Sequence, residues 1–177
     1  MAISKRFPEF SQIAAVYAVI VMVIYTWTIM WFFWRVPSWL YFLNIWEIVK
    51  IFAYSIATDL LETLVVLALP VTLAVILPPK WFREGFVARS VLMVLSGLGY
   101  LIYLAYQFHD TEFYPTDAIR LALAVPLLML VVVYLAGKNS ILRKIIEFIA
   151  DRATVFLYIT TPISLFCLLV VLIQLFI

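Results

Sequence analysis

The chain has 177 residues, 67% of them hydrophobic and only 12% charged, with a formal net charge of +2. A soluble domain carries roughly twice that charged share, so a water-soluble globular protein is excluded. The apolar runs are continuous and do not alternate, which favours helices over an outer-membrane barrel, and the single cysteine, Cys167, excludes an intrachain disulfide or a cysteine-based metal cluster.

A bilayer core about 30 Å thick requires about 20 helical residues. Five stretches meet that length: residues 12–34, 58–77, 86–108, 117–136 and 154–176. The expected fold is all-α, a polytopic membrane protein forming one transmembrane domain over residues 1–177. The first run follows Lys5 and Arg6 like a signal peptide, but it is too long. It ends in Trp31, Phe32, Phe33, Trp34 and Arg35 without a small-residue cleavage site, and it is read as a retained span. Trp27, Trp31 and Trp34 share one side of it, by default a lipid-facing belt, and Ala14 and Ala18 offer a small face for helix packing.

Residues 38–56 are apolar but carry Glu47 and Lys50 in their middle. They are expected to form an interfacial helix on the outer leaflet, with Trp39, Tyr41, Trp46 and Tyr54 at headgroup level and Glu47 pairing with Lys50. The rival is a sixth crossing. The second span would then begin at Thr58. In the third, Ser96, Gly97 and Gly99 permit close approach of a neighbouring helix. Residues 140–151, with an apolar stripe of Ile141, Leu142, Ile145, Ile146, Phe148 and Ile149, are expected to lie flat on the cytoplasmic leaflet as a separate amphipathic helix.

Basic residues alternate between connections. Lys5 and Arg6, then Lys80, Arg83 and Arg89, then Lys138, Arg143, Lys144 and Arg152 fall on one side, nine of the twelve, against four acids. The positive-inside rule then puts the N-terminus in and the C-terminus out. Lys138, Arg143, Lys144 and Arg152 are the candidate membrane-surface residues, since anionic inner-leaflet lipid attracts each by about 1 kcal/mol.

The outer side collects six acids: Glu47, Asp59, Glu62, Asp110, Glu112 and Asp117. Asp59 and Glu62, three apart, share a helix face. They read as a capping box at a helix start, with Thr58 or Asp59 as the cap, or as carboxylates at a pore mouth that attract cations. Asp110, Glu112 and Asp117 extend the same acidic face. With His109, Asp110 and Glu112 are weak metal-ligand candidates, a solvated turn being the ordinary explanation. Because the acids stand at span ends, the middle of the bilayer is expected to hold no ionisable side chain, which argues against a proton relay. Pro70, Pro126 and Pro162 fall inside spans as candidate kinks, with Thr160, Thr161 and Ser164 available to re-satisfy backbone groups near Pro162.

Enzyme signatures are few: no cysteine pair, no Gly-rich phosphate loop among four glycines, and a lone histidine. The expectation is a non-enzymatic protein of the cell membrane or bacterial inner membrane. It would act as a homo-oligomer that passes or senses cations at its acidic outer face. No cofactor and no nucleic acid is expected; lipid, and anionic lipid at the cytoplasmic face, are the expected partners. An accessory subunit of a larger membrane complex is the alternative, and an intramembrane enzyme built on Asp59 and Asp117 the remote one.

Overall fold

The computed structural model describes residues 7–107, 125, 128–129, 131–135 and 137–176, and among them every regular element is α-helix. In chain order these are α1 (Phe10–Trp39), α2 (Ile45–Ile76), the single turn α3 (Pro79–Phe82), α4 (Phe86–Gln107) and α5 (Ser140–Phe176). Residues 131–135 are helical as well. The four long helices are each extended and apolar enough to cross a membrane, the pattern of a multi-pass membrane protein. Most of the expected span 117–136 lies outside the described residues, and with it Pro126.

Two expected boundaries are not there. The interfacial helix at 38–56 and the span at 58–77 are not separate: α1 runs to Trp39, and α2 continues unbroken through Thr58 for 32 residues. The start signal is Asn44. Its Oδ1 accepts from the Glu47 N–H at 3.0 Å, while its own N–H donates to the Glu47 carboxylate at 2.8 Å, the reciprocal pair of a capping box. Glu47 is thereby committed to the cap and not to Lys50. Thr58 donates to the Tyr54 carbonyl one turn back, as a mid-helix threonine does. No proline or glycine interrupts the helix before Pro70. Likewise 140–151 and 154–176 form one helix of 37 residues, capped by Asn139 through the Ile141 and Leu142 N–H groups. Thr154, the expected restart, donates to Asp151 O. Helix α2 is thus about 48 Å long and α5 about 55 Å, well beyond the bilayer core.

Helices α2 and α5 run through Pro70 and Pro162. Near Pro162, Thr160 donates to the Phe156 carbonyl and Ser164 to that of Thr160. The carbonyl that Pro162 leaves without its helical donor is that of Tyr158, so these two bonds do not perform the expected rescue.

The chain divides into two compact units, Met1–Ile13 with Pro70–Ile149, and Ala14–Leu69 with Ala150–Ile177. The core of the second is Val21, Tyr25, Ala53, Ile56 and Cys167, flanked by Tyr17, Phe52, Leu157 and Val171. On α5 the inward positions Ala150, Ala153, Leu157, Thr160, Ser164, Cys167 and Val171 alternate by three and four. Their mostly small side chains let helix backbones approach where lipid provides no hydrophobic drive. Among the described residues, two hydroxyl-to-hydroxyl bonds tie the helices. Ser164 already donates to Thr160, so Tyr25 donates to Ser164 Oγ, at 2.6 Å. By the same reasoning Tyr17 donates to Thr63, more weakly at 3.4 Å. Tyr25→Phe removes the shorter bond but leaves Ser164 bonded to its own helix. The expected loss is about 0.6–1 kcal/mol in reversible unfolding from detergent, the usual size of such a bond in membrane proteins.

In the first unit, Gly85 has φ of +80° between α3 and α4, a left-handed turn that favours glycine. Among the described residues, nothing lies within 4 Å of where a Cβ on Gly97 or Gly99 would stand.

Candidate cation-binding site

Phe52, Ile56, Asp59 and Thr63 follow one another at spacings of four, three and four on α2, so helical geometry alone puts Asp59 on the inward stripe. It is 4% exposed. The capping reading of Thr58, Asp59 and Glu62 falls with the continuous helix. Any 20-residue segment taken from Ile45–Ile76 contains residues 57–64, hence both Asp59 and Glu62, wherever the bilayer cuts the helix.

Among the described residues, the Asp59 carboxylate has one hydrogen-bond partner on the opposing helix. Thr28 Oγ1 of α1 donates to Oδ1 at 2.8 Å. The other oxygen, Oδ2, is buried and has no hydrogen-bond partner among the described residues. Carboxylate and threonine line an open cleft of about 640 Å³, together with Trp27, Tyr54, Thr58 and Glu62. Trp27 and Tyr54 are 41% and 44% exposed and supply aromatic surface, while Glu62 is exposed one turn from Asp59. Trp27 begins a stack along α1, with ring centroids 5.7 Å from Trp31 and Trp31 5.1 Å from Trp34. The tryptophan side expected to face lipid therefore also contributes one wall of the cleft.

A buried carboxylate with an unsatisfied oxygen, beside aromatic surface, attracts cations electrostatically and through ring quadrupoles. No group of three or more His, Cys, Asp or Glu side chains that could hold a metal occurs among the described residues. Asp59 and Glu62 are the carboxylates among the described lining residues, with hydroxyl groups of Thr28, Ser55 and Thr58 beside them. His109, Asp110, Glu112 and Asp117 lie outside the described residues.

The sequence reading placed Trp27 and Tyr54 at the lipid and headgroup level and did not bring them or Thr28 to Asp59, because nothing in a single helix says which residue of another stands opposite. Removing the tie tests its role. Thr28→Val leaves both Asp59 oxygens without a donor and is expected to lower stability by about 1–3 kcal/mol in thermal unfolding, the desolvation penalty of a buried acceptor. A bound cation should restore part of that loss.

The expected membrane-surface residues divide between the units. Lys138 lies 4.8 Å from the Tyr134 ring centroid, Arg143 Nε donates to Glu147 at 2.7 Å on the exposed face of α5, and Lys144 is exposed in the same unit. Arg152 is exposed in the other. Arg89, expected only as a positive charge at a helix head, is 4% exposed, its guanidinium 5.4 Å from the same tyrosine ring. Comparison with family models, curated proteins and solved structures finds no match to this chain.

Proposed function

We propose that the protein handles cations within the membrane: weakly hydrated monovalent cations are bound at the Asp59–Glu62 cleft and are passed or sensed there. The observation that carries this reading is Asp59 Oδ2, a carboxylate oxygen buried without a hydrogen-bond partner among the described residues, in a helix long and apolar enough to cross a membrane. At the centre of a bilayer a carboxylate is disfavoured by about 3 kcal/mol; the Thr28 bond would offset part of such a penalty, and a cation in the cleft would offset more. Trp27 and Tyr54 favour an alkylammonium or a large alkali ion over a small hard ion that keeps its water. Binding and permeation, not catalysis, account for these features. A single copy presents an open cleft, so passage across the bilayer calls for copies arranged around an axis, a homo-oligomer.

The same proposal includes five spans, N-terminus in and C-terminus out, in a cell membrane or bacterial inner membrane. The beginnings of α4 and α5 lie together in one unit, Arg143 reaching within 3.7 Å of the position a Gly85 Cβ would take, which favours placing both basic connections on one side. The test of function is flux of potassium and tetramethylammonium into liposomes, wild type beside the Asp59→Asn/Glu62→Gln double variant. Flux that disappears in a variant of unchanged oligomer size supports the proposal. Equal flux through both proteins overturns it.

A further inference from the structure

The cleft at Asp59 is longer and roomier than a small ion requires. Its volume of about 640 Å³ equals that of about 20 water molecules at roughly 30 Å³ each. Clefts that take organic ligands span roughly 300–1,000 Å³. From Ile51 to Glu62 the cleft follows α2 for about 16 Å, at 1.5 Å per residue. A potassium ion at Asp59 would leave most of that length to water, beside a helix apolar enough to cross a membrane.

Charge and apolar surface are sorted along this length. Asp59, Glu62 and Thr58 line one end on α2, and Ile51 and Tyr54 line the other. The contacts Tyr17–Thr63, Thr28–Asp59 and Phe32–Phe52 rise along α1 as they fall along α2, so the two helices run antiparallel. Trp27 therefore enters the cleft beside the acids, and the stack from Trp27 through Trp31 to Trp34 runs in the direction of Tyr54 and Ile51. At the acidic end Asp59 is 4% exposed, and its Oδ2 has no hydrogen-bond partner among the described residues. Ser55 and Thr58 donate to carbonyls of their own helix, and Thr28 donates to Asp59. Those three hydroxyl protons are engaged, which leaves their oxygens as acceptors. A buried anion beside exposed aromatic faces complements a cation, and the apolar continuation complements a body attached to it.

We propose that the ligand of this cleft is an organic ammonium ion with an aromatic body. Its nitrogen sits at the Asp59 carboxylate, and its body lies along the cleft against Trp27, Tyr54 and Ile51. The assignment rests on the cation reading of the cleft and narrows it from small monovalent ions to amphiphilic ones.

The test is calorimetric titration of the full chain in lipid nanodiscs, with empty nanodiscs subtracted, using tetramethylammonium and benzyltrimethylammonium. The second cation should bind about five- to tenfold more tightly, the gain of an added aromatic contact. Neopentylbenzene, which has the shape of benzyltrimethylammonium without its charge, should not compete. Asp59→Asn should lose both cations. Ile51→Trp fills the end of the cleft remote from the acids and should bring the two cations to nearly equal affinity. Tyr54→Leu, which keeps the volume open but removes an aromatic wall, should also shrink the difference. Equal affinity of the two cations for the wild type would overturn the proposal and leave cation binding at Asp59 standing. Absence of binding by either would overturn both. Competition by neopentylbenzene as strong as that of the charged ligand would overturn the pairing of body and charge. An unchanged preference in both Ile51→Trp and Tyr54→Leu would overturn the place assigned to the body.

Discussion

Asp59→Leu is expected to give a protein that is more stable than the wild type and no longer binds cations. The substitution removes a carboxylate buried at 4% exposure with one oxygen lacking a partner, and fills the space with apolar atoms. Replacing buried charge by well-packed apolar groups often stabilises by 1–4 kcal/mol. The Thr28 hydroxyl then loses its acceptor, a loss of about 1 kcal/mol, and can turn to a carbonyl of its own helix. The net expectation is a gain of up to about 3 kcal/mol, read as a higher thermal midpoint in detergent without added cation. Such exchange of stability against function is common where a site stores unfavourable interactions. A drop of similar size would mean that Asp59 serves mainly to fasten α2 to α1 through Thr28.

The second large effect is a difference between two acids one turn apart. Asp59→Asn is expected to weaken cation binding by 100-fold or more, in line with the 2–5 kcal/mol typical when one member of a buried charge pair is removed. Glu62→Gln should weaken it only a fewfold, because an exposed carboxylate is screened by water and salt. Titrations at low and high ionic strength separate the two roles. The contribution of Glu62 should fade with salt, and that of Asp59 should persist. Equal effects of the two variants would place the bound cation at the rim of the cleft.

Helix content was legible in the amino-acid pattern; the helix ends were not. Thr58, Asp59 and Glu62 have the composition of a capping box, and Asn44 with Glu47 has it too. Local chemistry does not rank them. What decides is that Asn44 follows a turn at 40–44, while Thr58 stands in an unbroken run of helix formers and binds the Tyr54 carbonyl. The same holds for Asn139 against Thr154. Bilayer thickness argued for cutting each long run to about 20 residues, yet a helix is free to continue past the hydrocarbon. The partners of Asp59 were hidden for a different reason. The bond to Thr28 joins residues 31 apart on different helices, and the stacking of Trp27 gives no hint of it. Arg89 was visible as a charge, but only the position of Tyr134 and the close approach of Gly137 reveal that it is buried.

The most direct measurement is calorimetric titration of tetramethylammonium into the protein in lipid nanodiscs, beside Asp59→Asn prepared in the same way. Saturable binding to the wild type, lost in Asp59→Asn while its helical circular dichroism is unchanged, is the predicted result. Binding of equal strength to both proteins, or none to a folded wild type across alkali and alkylammonium ions, would contradict a cation site at Asp59.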